Sequence, residues 1–247
     1  MVDLFDITSY LDKELKIHSI KDGCENGLQV EGKREIKKIG FAVDVTKNIL
    51  EKAEENKCDL LISHHALIWK PLRSIKGLIS KKLNLLLSNE ISLYSAHLPM
   101  DLHKKYSHSK LVGLELGLTG LSSFAYEGRN SFGVSGSLRR RTKLDSLSTM
   151  VKTKLGTNVI VHKFGKEVIN TVGIVSGSGG FAIEECYKNR LDCFITGEIN
   201  HSSLLDAKDY GINVIEAGHY ETEKLGMIKL SRSITKKFKI QCVFIES

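Results

Sequence analysis

The chain has 247 residues, with 36 lysines and arginines against 29 aspartates and glutamates, a formal net charge of +7 at pH 7. Hydrophobic residues make up 41% and charged residues 26%, the balance of a globular protein rather than a disordered one, and no apolar run approaches the roughly 18–20 residues of a membrane-spanning helix. The segment from Met1 lacks a basic stretch ahead of an apolar one, and the five cysteines (Cys24, Cys58, Cys186, Cys193, Cys242) never fall in a C-x-x-C spacing; this predicts a cytoplasmic protein with free thiols and excludes a zinc ribbon or disulfide framework.

In chain order, the hydrophobic periodicity predicts helix 6–15, strand 38–43, helix 46–56, strand 59–63, helix 78–88, strand 91–95 and helix 108–117. There follow strand 131–138, helix 143–155, strands 158–162 and 171–176, helix 181–189, strand 193–196, helix 201–209, strand 213–216, helix 221–236 and strand 240–245. β-Branched runs alternating with amphipathic ones predict an α/β fold: two similar α/β subdomains packed together, with mixed, mostly parallel sheets flanked by helices. The segment 125–141, with Gly128, Gly133 and Gly136, reads as the junction, giving subdomains 1–124 and 125–247.

An internal echo supports two related halves. Ile39-Gly-Phe-Ala-Val43, a helix and Asp59-Leu-Leu-Ile-Ser-His-His65 match Val172-Gly-Ile-Val175, a helix and Asp192-Cys-Phe-Ile-Thr-Gly-Glu198, and Gly40 precedes His64 by the same interval as Gly173 precedes Gly197. Each unit then runs through a helix and a strand to a polar pair, His97-x-x-x-Asp101 in one and His219-x-x-x-Glu223 in the other. The carboxyl ends of strands are where open α/β sheets build their sites.

These polar residues carry the chemistry. His64 and His65 close an apolar strand, where the pleat is lost and two imidazoles can diverge toward two ions. Pro99 stiffens the loop that holds Asp101. His97 is an extra ligand or a hydrogen bonder, and His103 and His108 read as surface residues. His219 and Glu223, one helical turn apart, share a face. Three histidines and two carboxylates, with no cysteine, suit two divalent ions about 3.5–4 Å apart, held between the halves with one carboxylate bridging; zinc, iron, manganese and nickel all fit such donors. Gly177-Ser178-Gly179-Gly180, between a strand and a helix, is a simple turn or an anion cradle.

Glu25-Asn-Gly-Leu-Gln-Val30, Asp44, Ser63-His-His65, His97-x-x-x-Asp101, Thr196-Gly-Glu198-x-x-His201 and Gly218-His219-x-x-x-Glu223 together resemble the Nif-three-like family, whose members go under GTP cyclohydrolase 1 type 2 and its homologues. The resemblance runs over nearly the whole chain. It implies metal ligands at His64, His65, Asp101, His219 and Glu223, with Glu223 bridging; proton transfer by Glu198 and His201; and a toroidal homohexamer. Two departures stand out: Ala66 follows the double histidine where the family often has proline, and Val134 stands where it has arginine.

The activity so implied is hydrolysis of a nucleotide, metal-activated water attacking the guanine ring of GTP with release of formate, and Lys104 or Lys105 meeting the phosphates. The alternative is a non-enzymatic metal-binding regulator or scaffold with protein or nucleic-acid partners. Direct nucleic-acid binding draws on the basic clusters Lys33-Arg34, Lys37-Lys38, Arg139-Arg140-Arg141 and Lys236-Lys237, but these are not interleaved with aromatics as single-strand platforms are.

Overall fold

Leu60-Leu61-Ile62 is apolar on successive residues, so both faces need cover, a condition met by parallel strands beneath helices. In the computed structural model, which describes residues Met1–Ser247, this run is the middle of one of two units: Met1–His103 with Gly226–Ser247, and Lys104–Leu225. The chain order is β1 (Val2–Asp3), α1 (Leu4–Leu15), β2 (Gly27–Val30), β3 (Glu35–Ile36), β4 (Lys38–Ala42), α2 (Lys47–Glu55), β5 (Leu60–Ser63), α3 (Leu78–Ser88), β6 (Ser92–Ser95) and α4 (Leu98–Asp101). It continues with α5 (His108–Glu115), β7 (Thr119–Glu127), β8 (Asn130–Lys143), α6 (Leu144–Leu155), β9 (Ile160–His162), β10 (Val168–Ser178), α7 (Ile183–Lys188), β11 (Cys193–Glu198), α8 (His201–Tyr210), β12 (Asn213–Glu216), α9 (His219–Phe238) and β13 (Gln241–Phe244).

In the first unit the sheet order is β13-β4-β5-β6-β2, parallel except for β2, with β1 and β3 forming a separate antiparallel pair. Helix α1 starts where Asp3 accepts from Phe5 N–H at 2.9 Å, and it buries Leu4, Ile7, Leu11 and Leu15. Helix α2 starts where Thr46 accepts from Ile49 N–H, and its buried Ile49, Leu50 and Ala53 join Leu61, Leu86 and Leu93 in one core.

The second unit has the order β7-β8-β10-β11-β12-β9, with β10, β11 and β12 parallel and the rest antiparallel. Leu144, Leu147, Val151 and Leu155 of α6 pack with Val172, Ile174 and Ile195 in one core cluster; Phe124, Val175, Phe194 and Val214 belong to another.

The echo in the sequence is an echo in the backbone, since β4-α2-β5-α3-β6 and β10-α7-β11-α8-β12 are both three parallel strands in chain order. A shared device opens the middle strand. Asp59 accepts from the amides of Lys37 (2.6 Å) and Lys38 (3.0 Å) and pairs with Lys33; Asp192 accepts from the amides of Asn170 (2.9 Å) and Thr171 (3.1 Å) and pairs with Lys166 (2.9 Å). Each carboxylate thus ties the start of its strand to the neighbouring one. Burial raises the Asp192 carboxyl, but the Lys166 ammonium and the two amides outweigh it and leave it below the ordinary value.

Three expectations are corrected. The boundary at 124/125 gives way to a discontinuous first unit, because β13 pairs with β4 (Cys242 with Ile39) and returns the last residues to the first sheet. The segment 125–141 is a hairpin inside the second unit, not a junction: β7 and β8 turn at Gly128, whose φ is +60°. Gly133 is there for close approach, since a Cβ would lie 2.5 Å from the Ile174 carbonyl oxygen. Helix 221–236 begins two residues earlier, at His219.

Asp192→Ala should lower unfolding stability by about 1–2 kcal/mol, since it strands two partly buried amides; a urea midpoint unchanged from wild type would contradict this role. Because the folded-state value is depressed, this contribution is complete above the ordinary aspartate pKa of 3.8 and is lost as pH falls through the lower, folded value. The stability difference between wild type and Asp192→Ala should therefore shrink on acidification below pH 3.8.

Candidate metal centre

β5 ends in Ser63, whose hydroxyl donates to the His65 carbonyl oxygen at 2.8 Å and bonds the Ser95 hydroxyl, while the amides of His64 and His65 bond the carbonyl oxygens of Ala42 and Val43. The double histidine is therefore on ordered backbone. His64 is fully buried, and its Nδ1 lies 3.1 Å from the Ala96 carbonyl oxygen; His65 Nδ1 lies 2.8 Å from Asp44 Oδ1; His97 Nδ1 lies 3.0 Å from Asp22 Oδ1. All three partners accept, so each Nδ1 donates, and in the neutral ring Nε2 is left as the lone-pair nitrogen. The three rings are 4.8–5.8 Å apart between centroids, and one ligand atom from each lies within 4.8 Å of the others. Asp101, at the end of α4, brings Oδ2 to 3.9 Å from His64 Nε2.

A further layer fixes the ligands. The Asp22 side chain is only 3% exposed and accepts from His97, from Asn26 Nδ2 at 2.9 Å and from the Leu98 amide at 2.9 Å. Burial raises its carboxyl, but these hydrogen bonds and the His97 charge prevail and hold it far below the usual range. Asn26 Oδ1 accepts from the His97 amide, and Gln29 Oε1 accepts from the amides of Leu67 and Ile68, so the Glu25–Val30 motif sets the loops after both histidine segments. Cys24 adds a thiol within the same reach of Asp22 and His97, pushed up to about 12 by burial and the Asp22 charge.

In the second unit, the first turn of α9 places His219 Nε2 3.2 Å from Glu223 Oε1, and His219 Nδ1 lies 3.1 Å from Glu198 Oε1 at the end of β11. Hydrogen bonding to Glu223, helped by Glu198 and opposed by burial, raises His219 to about 9. A divalent ion bound there would take the place of that proton.

The glycines in this unit make room for the acid. A Cβ on Gly177, which has φ +63°, would lie 2.3 Å from Glu223 Oε1, and one on Gly197 would lie 2.7 Å from Thr222 Oγ1 and 2.8 Å from His219 Cα. The amides of Gly177 and Gly179 are spent on Thr222 Oγ1 and Thr196 Oγ1. The Gly177–Gly180 turn is thus a seat for Glu223 and Thr222, and two of its four amides are already taken by side-chain hydroxyls.

The donor set fits a divalent metal ion, because imidazoles with Nδ1 already donating to carboxylate or carbonyl have the outer-layer arrangement of metal-binding histidines. His64, His65, His97 and Asp101 come together in the first unit, and His219, Glu223 and Glu198 in the second. His201 stands apart as an exposed residue at the start of α8, and Lys104 and Lys105 are exposed. His103 is half-buried, with Nε2 3.1 Å from the Glu14 carbonyl oxygen. His108, expected at the surface, is fully buried at the start of α5, because its helix packs on β8 and β10. Sequence reasoning missed Asp22 and Trp69. The only signal for Asp22 is its place in a polar loop just ahead of the Glu25–Val30 motif, and Trp69 follows the double histidine at a spacing that carries no periodicity.

Comparison with known proteins identifies the family. The chain is 39% identical over 243 residues to a GTP cyclohydrolase 1 type 2 homolog of Pyrococcus abyssi, covering 98% of this chain and 97% of the relative, and 35% identical to one of Archaeoglobus fulgidus, covering 99% and 98%. Among solved structures, it is similar to protein ybgI, of unknown function (TM-score 0.93, 28% identity, 100% and 98% covered), and to TTHA1606 from Thermus thermophilus (TM-score 0.89, 35% identity, 100% and 98% covered). Residues 2–247 match the model of one family, so the motif resemblance is membership: the chain belongs to the Duf34/NIF3 (NGG1p interacting factor 3) family.

Proposed function

We propose that the protein is a metal-dependent hydrolase of nucleotides, with His64, His65 and Asp101 of the first unit and His219 and Glu223 of the second as ligands for two divalent ions, and His97 as a further ligand. The observation that carries this reading is the clustering of three imidazoles, each with Nδ1 within 2.8–3.1 Å of an acceptor oxygen. Such an ion supplies Lewis acidity and lowers the pKa of water to about 7. Nitrogen and carboxylate donors accommodate zinc, iron, manganese or nickel.

The remaining chemistry falls to the chain's own groups. Glu198, exposed and bonded to His219, accepts and returns a proton, with His201 as an exposed second carrier. Asp44 and Asp22 hold His65 and His97 in the tautomer that leaves Nε2 to bind. Relatives named as GTP cyclohydrolase homologs and the net charge of +7 support an anionic nucleotide as substrate. Assembly as a homohexamer and a cytoplasmic location belong to the same proposal.

Elemental analysis of the purified protein should find two divalent ions per chain, and His65→Ala should lose metal while keeping its assembly state in sedimentation. Asp44→Asn should weaken metal binding by roughly 10–100-fold. Incubated with GTP, metal-loaded protein should release formate, and chelation should abolish the release; no turnover across a panel of nucleotides would overturn the hydrolase and favour the regulatory or scaffold role.

A further inference from the structure

Between Ala66 and Asn89 the chain has five lysines and arginines (Lys70, Arg73, Lys76, Lys81, Lys82) and no aspartate or glutamate. Every residue from Trp69 to Leu78 is exposed. The root of this loop is nevertheless fixed, by Gln29 Oε1 on the amides of Leu67 and Ile68 and by the Glu25 amide on the Ile68 carbonyl oxygen. The indole of Trp69 is 43% exposed, with its centroid 5.0 Å from the His97 ring at an interplanar angle of 71° and 6.3 Å from the His65 ring.

We propose that Trp69 and the basic loop it opens form the nucleoside-phosphate-binding face of the histidine cluster, the indole stacking the planar base while Lys70, Arg73 and Lys76 meet the phosphates. The inference deepens the nucleotide reading above and rests on it.

A lone exposed aromatic residue is ordinary. This one differs because it packs edge-on against His97 and lies near His65, so a ring stacked on it lies beside the proposed centre. An indole offers the largest π-face of any side chain, and base stacking on aromatic side chains contributes about 1–3 kcal/mol per base whatever the base. None of Lys70, Arg73 and Lys76 makes an ion pair, so no carboxylate has to be displaced before a phosphate binds. A neutral planar ligand would leave these charges unused, and inorganic phosphate would leave the indole unused. A nucleoside phosphate uses both.

Trp69 is the only tryptophan of the chain, so its emission reports this place alone. Full-length, zinc-loaded protein is titrated with GTP, guanosine and inorganic triphosphate, with emission and calorimetry as readouts. GTP should shift or quench the emission, and Trp69→Ala should weaken GTP binding about 10-fold or more while Trp69→Phe restores most of it. A K70A/R73A/K76A variant should weaken GTP and triphosphate but not guanosine, with a flatter salt dependence. Metal content should stay at the wild-type value in all three variants. Emission unmoved by every probe overturns the proposal, as does GTP affinity within about twofold of wild type in Trp69→Ala. Metal loss in Trp69→Phe would also overturn it, making the indole a wedge for His97. GTP binding at Trp69 without formate release keeps the platform and removes the hydrolase; formate release with an unchanged KM in Trp69→Ala does the reverse.

Discussion

Everything proposed for this site depends on where three protons sit. An imidazole can give a lone pair to a cation only from the nitrogen that does not carry hydrogen, and in solution either nitrogen can be that one. Here the Ala96 carbonyl, Asp44 and Asp22 each accept from Nδ1, which removes the choice for His64, His65 and His97. Asp22 is itself anchored, since Asn26 and the Leu98 amide hold its carboxylate as well. The ring orientation is thereby set from behind, by groups that need never touch an ion themselves.

The two units show how one scaffold carries different chemistry at matching places. Ser63 and Thr196 end the apolar part of equivalent strands and both use their hydroxyls to bind the turn that follows. One strand then continues into His64-His65 and the other into Gly197-Glu198. The glycine lets the first turn of α9 come close to the strand end, where His219 meets Glu198, and the histidine pair instead fills that space with imidazole. At the opposite end of the same strands, Asp59 and Asp192 repeat without change, because there the task is only to hold two strands together.

Much of this was legible in the sequence where one local rule dominated. Unbroken apolar runs revealed β4, β5, β10 and β11, and the interval from His219 to Glu223 revealed a helical turn. Strand 131–138 was read within β8, but its partner β7 was not legible, because the exposed Ser, Gly and Thr there lack the alternation that marks a half-buried strand. His108 looked like a surface residue because its helix has little amphipathic pattern; packing on β8 and β10 decided its burial. Neither the pairing of Asp22 with His97 nor that of β13 with β4 can be read from spacing, since each joins distant parts of the chain through tertiary contact alone.

That last pairing orders the events of synthesis. The second unit is one uninterrupted stretch, so it can complete its sheet as soon as it has left the ribosome. The first unit, although made earlier, must wait with the flank of β4 uncovered until the final strand emerges and seals it. An uncovered strand flank is an invitation to pair with the wrong chain. A chain lacking β13 would therefore expose that flank in its first unit while leaving every strand of the second sheet in place.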